Sequence, residues 1–161
     1  MRKVASAASY LDGGAANPMQ KAAIPMLADM DWIRADIKSL QAHFKMKRDI
    51  FLEGILKLGI TVDFIPEGTF YVWGNIAKLP KPLNDGITFF EEMLKEKLIC
   101  VSGVSFDLNP GSRRHFSMSP YANYVRFSYG PELKNLQMGL KAIERVVNKF
   151  AAINRQEGDT D

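Results

Sequence analysis

Cysteine is nearly absent from this sequence. Cys100 stands alone among 161 residues, so no internal disulfide can form and nothing asks for an oxidising compartment. Following Leu98-Ile99 and preceding Val101, it reads as a buried small hydrophobe. Histidine is scarce too, and neither His43 nor His115 has a second ligand at metal-binding spacing. No apolar run approaches the roughly 20 residues needed to cross a bilayer. The start, Met1-Arg2-Lys3, is basic, but no long apolar segment follows it. No signal peptide and a cytoplasmic setting are therefore expected. Also missing are a glycine-rich phosphate loop, HExxH, a paired-cysteine motif and a GxSxG elbow. A net charge of +3 is too small and too dispersed for nucleic acid. Arg113, Arg114 and the basic helix residues form no continuous stripe with stacking aromatics.

What is present suits one soluble globular domain, with 47% apolar and 24% charged residues. Residues 1–17, with Asp12-Gly13-Gly14 and Asn17-Pro18 as breakers, read as an irregular lead-in. A first helix is predicted from Pro18 to about Leu27, with Pro25 as a kink or stop. The clearest period follows: Ile33, Ile37, Leu40, Phe44, Phe51, Ile55 and Leu58 alternate steps of three and four, with Lys47 in the one gap. Asp29 or Asp31 can cap this helix and Gly59 can end it. Midway, Lys45, Lys47, Arg48 and Asp49 read as a solvated face, with a phosphate patch as the alternative.

Ile60–Ile65 and Thr69–Trp73, joined by Pro66-Glu67-Gly68, predict a hairpin. Asn84 or Asp85 caps a helix running to Leu98, and Ile99–Val101 reads as a short buried strand. A long loop covers 107–123 and carries Asn109-Pro110-Gly111 and the triplet Arg113-Arg114-His115, for which solvation and phosphate binding both stand as readings. Leu133, Leu136, Leu140, Ile143, Val147 and Phe150 mark a last helix, followed by a polar tail. The predicted fold class is α/β, an α+β sandwich in which helices pack on an open sheet. The expected organisation is a lead-in at 1–17, a domain at 18–154 and a tail at 155–161.

Between loop and last helix stands Tyr124-Val125-Arg126-Phe127-Ser128-Tyr129-Gly130, a strand with one long cation among alternating apolar and aromatic residues. Gly130-Pro131-Glu132 then opens a helix. An arginine so placed snorkels to water, pairs with a carboxylate, or faces an anionic ligand, and the strand pattern leaves all three open.

The order of motifs narrows the choice. Asn17-Pro18-x-Gln20-x-Ala22-Ala23 precedes Pro66-x-Gly68-Thr69-Phe70-Tyr71-Val72-Trp73. Then come Val101-Ser102-Gly103-Val104-Ser105-Phe106, the Arg126 strand, and Glu132-x-x-x-Leu136-x-x-Gly139-Leu140. From about Ser9 to Val147 the succession resembles the C-terminal small domain of class I/II pyridoxal-phosphate aminotransferases of the aspartate aminotransferase fold, fold type I. The resemblance implies that Arg126 grips the α-carboxylate of an amino-acid or 2-keto-acid substrate. A guanidinium fits that role, since its fork meets a carboxylate in two parallel charge-assisted bonds. It implies also that Asn17-Pro18 lies near the active sites of a dimer, making Asn17 a second substrate-binding candidate. Some dicarboxylate-specific members carry an arginine just before that point, where this chain reads Tyr10-Leu11-Asp12-Gly13-Gly14. That argues against an aspartate-like substrate bound in that manner.

The family's Schiff-base lysine sits in a Ser-x-x-Lys context with Arg-x-Gly soon after. No lysine here, including Lys3, Lys21 and Lys78, does so. The family's Pro-Gly before the late loop reads Ser102-Gly103. The resemblance therefore implies a small domain that works only with a missing large domain or in a homodimer. Pyridoxal 5'-phosphate belongs to the parent family and is not expected on this chain alone, and no catalytic, cofactor-binding or metal-ligating residue is expected. The alternative is a non-catalytic interaction or dimerisation module, with Phe70, Tyr71 and Trp73 on an edge hairpin.

Overall fold

A computed structural model of the chain describes residues 2–109 and 111–158; Met1, Pro110 and 159–161, the last with the end of the expected tail, lie outside the described residues. Two compact units divide the chain, Met1–His43 and Phe44–Asp161.

In the first unit, α1 spans Arg2–Asp12 and α2 spans Asn17–Ala28. The irregular lead-in is thus corrected over most of its length. Three alanines among Arg2–Tyr10, with no glycine or proline before Gly13, favour a helix where no convincing period predicts one. Proline stands at the start of α2, and Pro25 lies inside the helix without ending it. The next helix, α3, runs Met30–Lys57, its first turn capped where the Trp32 N–H donates to Asp29 Oδ1 at 3.0 Å. Ile37 and Leu40, from its early apolar stripe, are exposed.

The second unit holds the core. The stripe of α3 becomes buried from Lys47 onward, through Phe51, Leu52 and Ile55. It ends as expected at Gly59 (φ 88°), with the Ile60 N–H donating to the Ile55 carbonyl at 3.2 Å. Strand β1 (Tyr71–Asn75), helix α4 (Gly86–Lys95), strand β2 (Val101–Ser102), strand β3 (Tyr124–Ser128) and helix α5 (Leu133–Gly158) follow. The sheet is antiparallel in the order β1-β3-β2, with Trp73 and Val101 both opposite Arg126. Val72, Val125 and Phe127 point into the core, where the Phe127 ring meets Phe51 (5.7 Å) and Phe89 (5.9 Å). Within this unit the buried residues of α3, α4 and α5 pack with that face of the sheet, a mixed α/β arrangement with a small antiparallel sheet.

Four further expectations change. The short buried strand expected at Ile99–Val101 lies instead at Val101–Ser102, and Ile99 is exposed. The strand over Ile60–Ile65 is reduced to one bridge, Thr61 with Asn75. Pro66 cannot donate to a ladder, and Phe64 is 87% exposed rather than packed. The expected polar tail is helical through Gly158, because nothing from Asn154 to Glu157 breaks α5. Lys47, expected on a solvated face, is 2% exposed: it occupies the stripe's gap and donates to the Gly130 carbonyl at 2.7 Å. Lys45 does stay outward, while Arg48 is half-buried and donates to the Pro66 carbonyl at 2.9 Å; both reach Asp49 at 2.7 Å and hold that carboxyl below its usual range.

Cys100 is buried as expected, and burial pushes its thiol up to about 12. Folding therefore favours the protonated thiol. That contribution is complete below the ordinary value of 9.0 and is lost as pH rises toward about 12. At pH 8 the native chain is expected to leave a disulfide-exchange reagent unreacted, while the urea-unfolded chain releases one equivalent of chromophore. Rapid labelling of the native chain would refute the burial.

Candidate functional site

The alternation that buries Val125 and Phe127 sends Tyr124, Arg126 and Ser128 to the other face of the sheet. Cross-strand register adds Tyr71, Trp73 and Asn75 from β1 and Val101 from β2 to that face. Of these residues, only Arg126 carries a charge at neutral pH.

Arg126 is half-buried. Its guanidinium carbon lies 4.2 Å from the centroid of the Tyr71 ring and 4.8 Å from that of Phe106. Both rings lie within cation–π range of the group. No carboxylate or hydrogen-bond acceptor among the described residues engages it. Phe106 comes from the short 3-10 turn Gly103–Phe106 that follows β2. Around this centre the rings continue. Trp73 stacks on Tyr124 (5.5 Å, 15°) and meets Phe106 (5.3 Å, 83°) and Tyr121 (5.7 Å, 82°) edge to face. At the rim, the Tyr124 hydroxyl donates to Asp63 Oδ2 at 3.0 Å, and that carboxylate pushes the phenol's pKa up. The arrangement sets one guanidinium, with no acceptor of the described residues against it, inside an aromatic wall.

The turn beneath Phe106 depends on close packing. A Cβ on Gly103 would lie 2.4 Å from the Tyr121 carbonyl oxygen and 2.8 Å from that of Tyr124. At the preceding position, Ser102 has a buried hydroxyl with no hydrogen-bond partner among the described residues.

The other predicted site residue, Asn17, is exposed at the first position of α2, in the first unit. Arg126 belongs to the second. The basic triplet is outward: Arg113 is exposed, His115 Nδ1 lies 2.8 Å from Ser117 Oγ, and Arg114 reaches Asp107 at 2.5 Å. Burial works against the Asp107 carboxylate, yet the Asn109 N–H, the Ser119 hydroxyl and Arg114 together hold it below its usual range. Arg114 is therefore committed within the loop.

No family model matches the chain. A probable aspartate aminotransferase of Methanocaldococcus jannaschii is 26% identical over 110 residues, covering 68% of this chain and 25% of the relative. From the same organism, a (5-formylfuran-3-yl)methyl phosphate transaminase is 30% identical over 115 residues, covering 71% and 26%. Among solved structures, an aspartate aminotransferase of Thermus thermophilus superposes with a TM-score of 0.68 at 25% identity, over 88% of this chain and 33% of its own. The chain matches the C-terminal portion of a fold type I aminotransferase. It spans about a quarter of the length of the curated relatives it matches.

Against that aminotransferase background, the described residues do not fit pyridoxal 5'-phosphate. The one buried lysine, Lys47, directs its ammonium at the Gly130 carbonyl, and every other lysine is exposed. No group of metal-ligating side chains is present among the described residues either. Strand alternation made Tyr124 legible as a neighbour of Arg126, two positions away on the same face. Trp73 required the register, and Phe106 and Tyr121, from loop segments, carried no signal of their own.

Proposed function

We propose that this chain is the substrate-carboxylate end of a pyridoxal-phosphate aminotransferase that moves an amino group between an amino acid and a 2-keto acid. Arg126 grips the α-carboxylate. The single observation that supports this is its guanidinium, packed against Tyr71 and Phe106 with no carboxylate of the described residues against it. A structural ion pair would have consumed the charge. Two parallel N–H···O bonds in one plane would then orient the bound acid. Asn17 is proposed as a second substrate contact on its motif. The cofactor and the base that moves the proton belong, in this reading, to the large domain of the parent enzyme or to a homodimer, in the cytoplasm. The chain alone is then inactive.

Titrating the chain with pyruvate while following the arginine Nε–H signals by NMR tests the assignment. A saturable shift of one arginine is expected, lost in Arg126→Gln and weakened roughly tenfold or more in Arg126→Lys, which keeps charge but not fork. Persistence of the shift in Arg126→Gln refutes it.

A second reading, a non-catalytic interaction module, draws on exposed Phe64, Ile65 and Ile99. Light scattering separates the two, since that module predicts association that survives Arg126→Gln.

A further inference from the structure

We propose that the Arg126 site takes monocarboxylates bearing a flat aromatic group, aryl 2-keto acids and the matching amino acids, in preference to dicarboxylates. This rests on Arg126 as the carboxylate anchor and adds what the remainder of the ligand must be.

Tyr71 at 4.2 Å and Phe106 at 4.8 Å pack on the guanidinium, and its N–H groups are engaged by no acceptor among the described residues, which leaves them for a carboxylate. Whatever is attached to that carboxylate then meets the surrounding surface, and the surface is aromatic. Trp73 stands directly opposite Arg126 across the β1–β3 pair and is half-buried. Tyr121 and Phe106, 38% and 36% exposed, leave ring surface open beside it. Their edge-to-face packing against Trp73 holds these rings in place, so a planar ligand meets pre-ordered partners.

A second carboxylate finds the opposite. The sheet face offers no cation besides Arg126, so the added charge would lose water without gaining a partner. Ring faces carry negative potential and repel it. Asp63, holding the Tyr124 hydroxyl at 3.0 Å, places a like charge at the rim. Arg114, the cation of the neighbouring loop, is paired with Asp107.

The test compares 3-phenylpropionate with glutarate on the full chain, by NMR or calorimetry, together with Trp73→Ala, Tyr121→Ala and Arg126→Gln. We expect 3-phenylpropionate to bind roughly tenfold more tightly and to shift the Trp73 indole N–H. Trp73→Ala should bring the two affinities within about twofold, and Tyr121→Ala, at a more open ring, should narrow the gap if the tryptophan variant fails to fold. Arg126→Gln should weaken both acids. Equal affinities, or tighter glutarate binding, with both still lost in Arg126→Gln would overturn the aryl preference and leave the anchor standing. No saturable binding of either acid up to about 50 mM, or binding indifferent to Arg126→Gln, would overturn the anchor itself.

Discussion

Adding a single methyl group at Gly103 is expected to destabilise the protein by about 3 kcal/mol. The new carbon would sit 2.4 Å from the Tyr121 carbonyl oxygen and 2.8 Å from that of Tyr124. Both obstacles are backbone, so neither can rotate away as a side chain would. The strand start and the turn must separate instead, and Phe106, three residues on, moves with the turn. Gly103→Ala should therefore lower the urea midpoint and also weaken the near-ultraviolet dichroism of the Trp73–Phe106 pair, now 5.3 Å apart. Gly68→Ala is the control. A Cβ there meets nothing within 4 Å, and its effect should stay within about 0.5 kcal/mol. Equal unfolding midpoints for the two variants would show that the close approach at Gly103 does not matter.

Truncating Lys47 comes next in size. Its stem fills a core position between the residues of the α3 stripe, and its ammonium makes two contacts, with the Gly130 carbonyl at 2.7 Å and the Phe44 ring at 5.0 Å. Lys47→Ala removes packing and bond together, and about 3 kcal/mol is expected. Lys47→Met keeps the length of the stem. It leaves the half-buried Gly130 carbonyl without the ammonium but also relieves the cost of burying a charge, so about 1 kcal/mol remains. Chemical denaturation of the two variants measures the difference. An alanine variant as stable as the parent would mean the lysine is not packed where it is seen.

Lys47 also marks the boundary between what could and could not be read in advance. The three-four spacing identified its position as the missing rung of an apolar stripe, while the basic neighbours suggested solvent. Spacing prevailed, because a lysine stem is apolar and its charge needs only one acceptor at the end. That acceptor lies 83 residues away in the chain, so no local pattern could have shown it. The strand predicted over Ile60–Ile65 failed for the converse reason. Its local composition was right, but Pro66 and the outward Phe64 leave it no partner beyond Thr61. At the N-terminus, the short, alanine-rich stretch with Val4, Ala8 and Leu11 at helical spacing forms α1 where an irregular segment is expected.

By itself the sequence determined the helix stripes, a cap at Asn84 or Asp85, the buried Cys100 and the alternation that puts Arg126 opposite in facing to Val125 and Phe127, since each depends on residues a few positions apart. Motif order carries the resemblance to the aminotransferase C-terminal portion. Only the tertiary structure decided what surrounds the guanidinium. Tyr71, Trp73, Phe106 and Tyr121 reach Arg126 or its ring neighbours through strand register and through a turn that closes because Gly103 has no side chain. Contacts of that kind depend on how distant segments meet, which no spacing within one segment encodes.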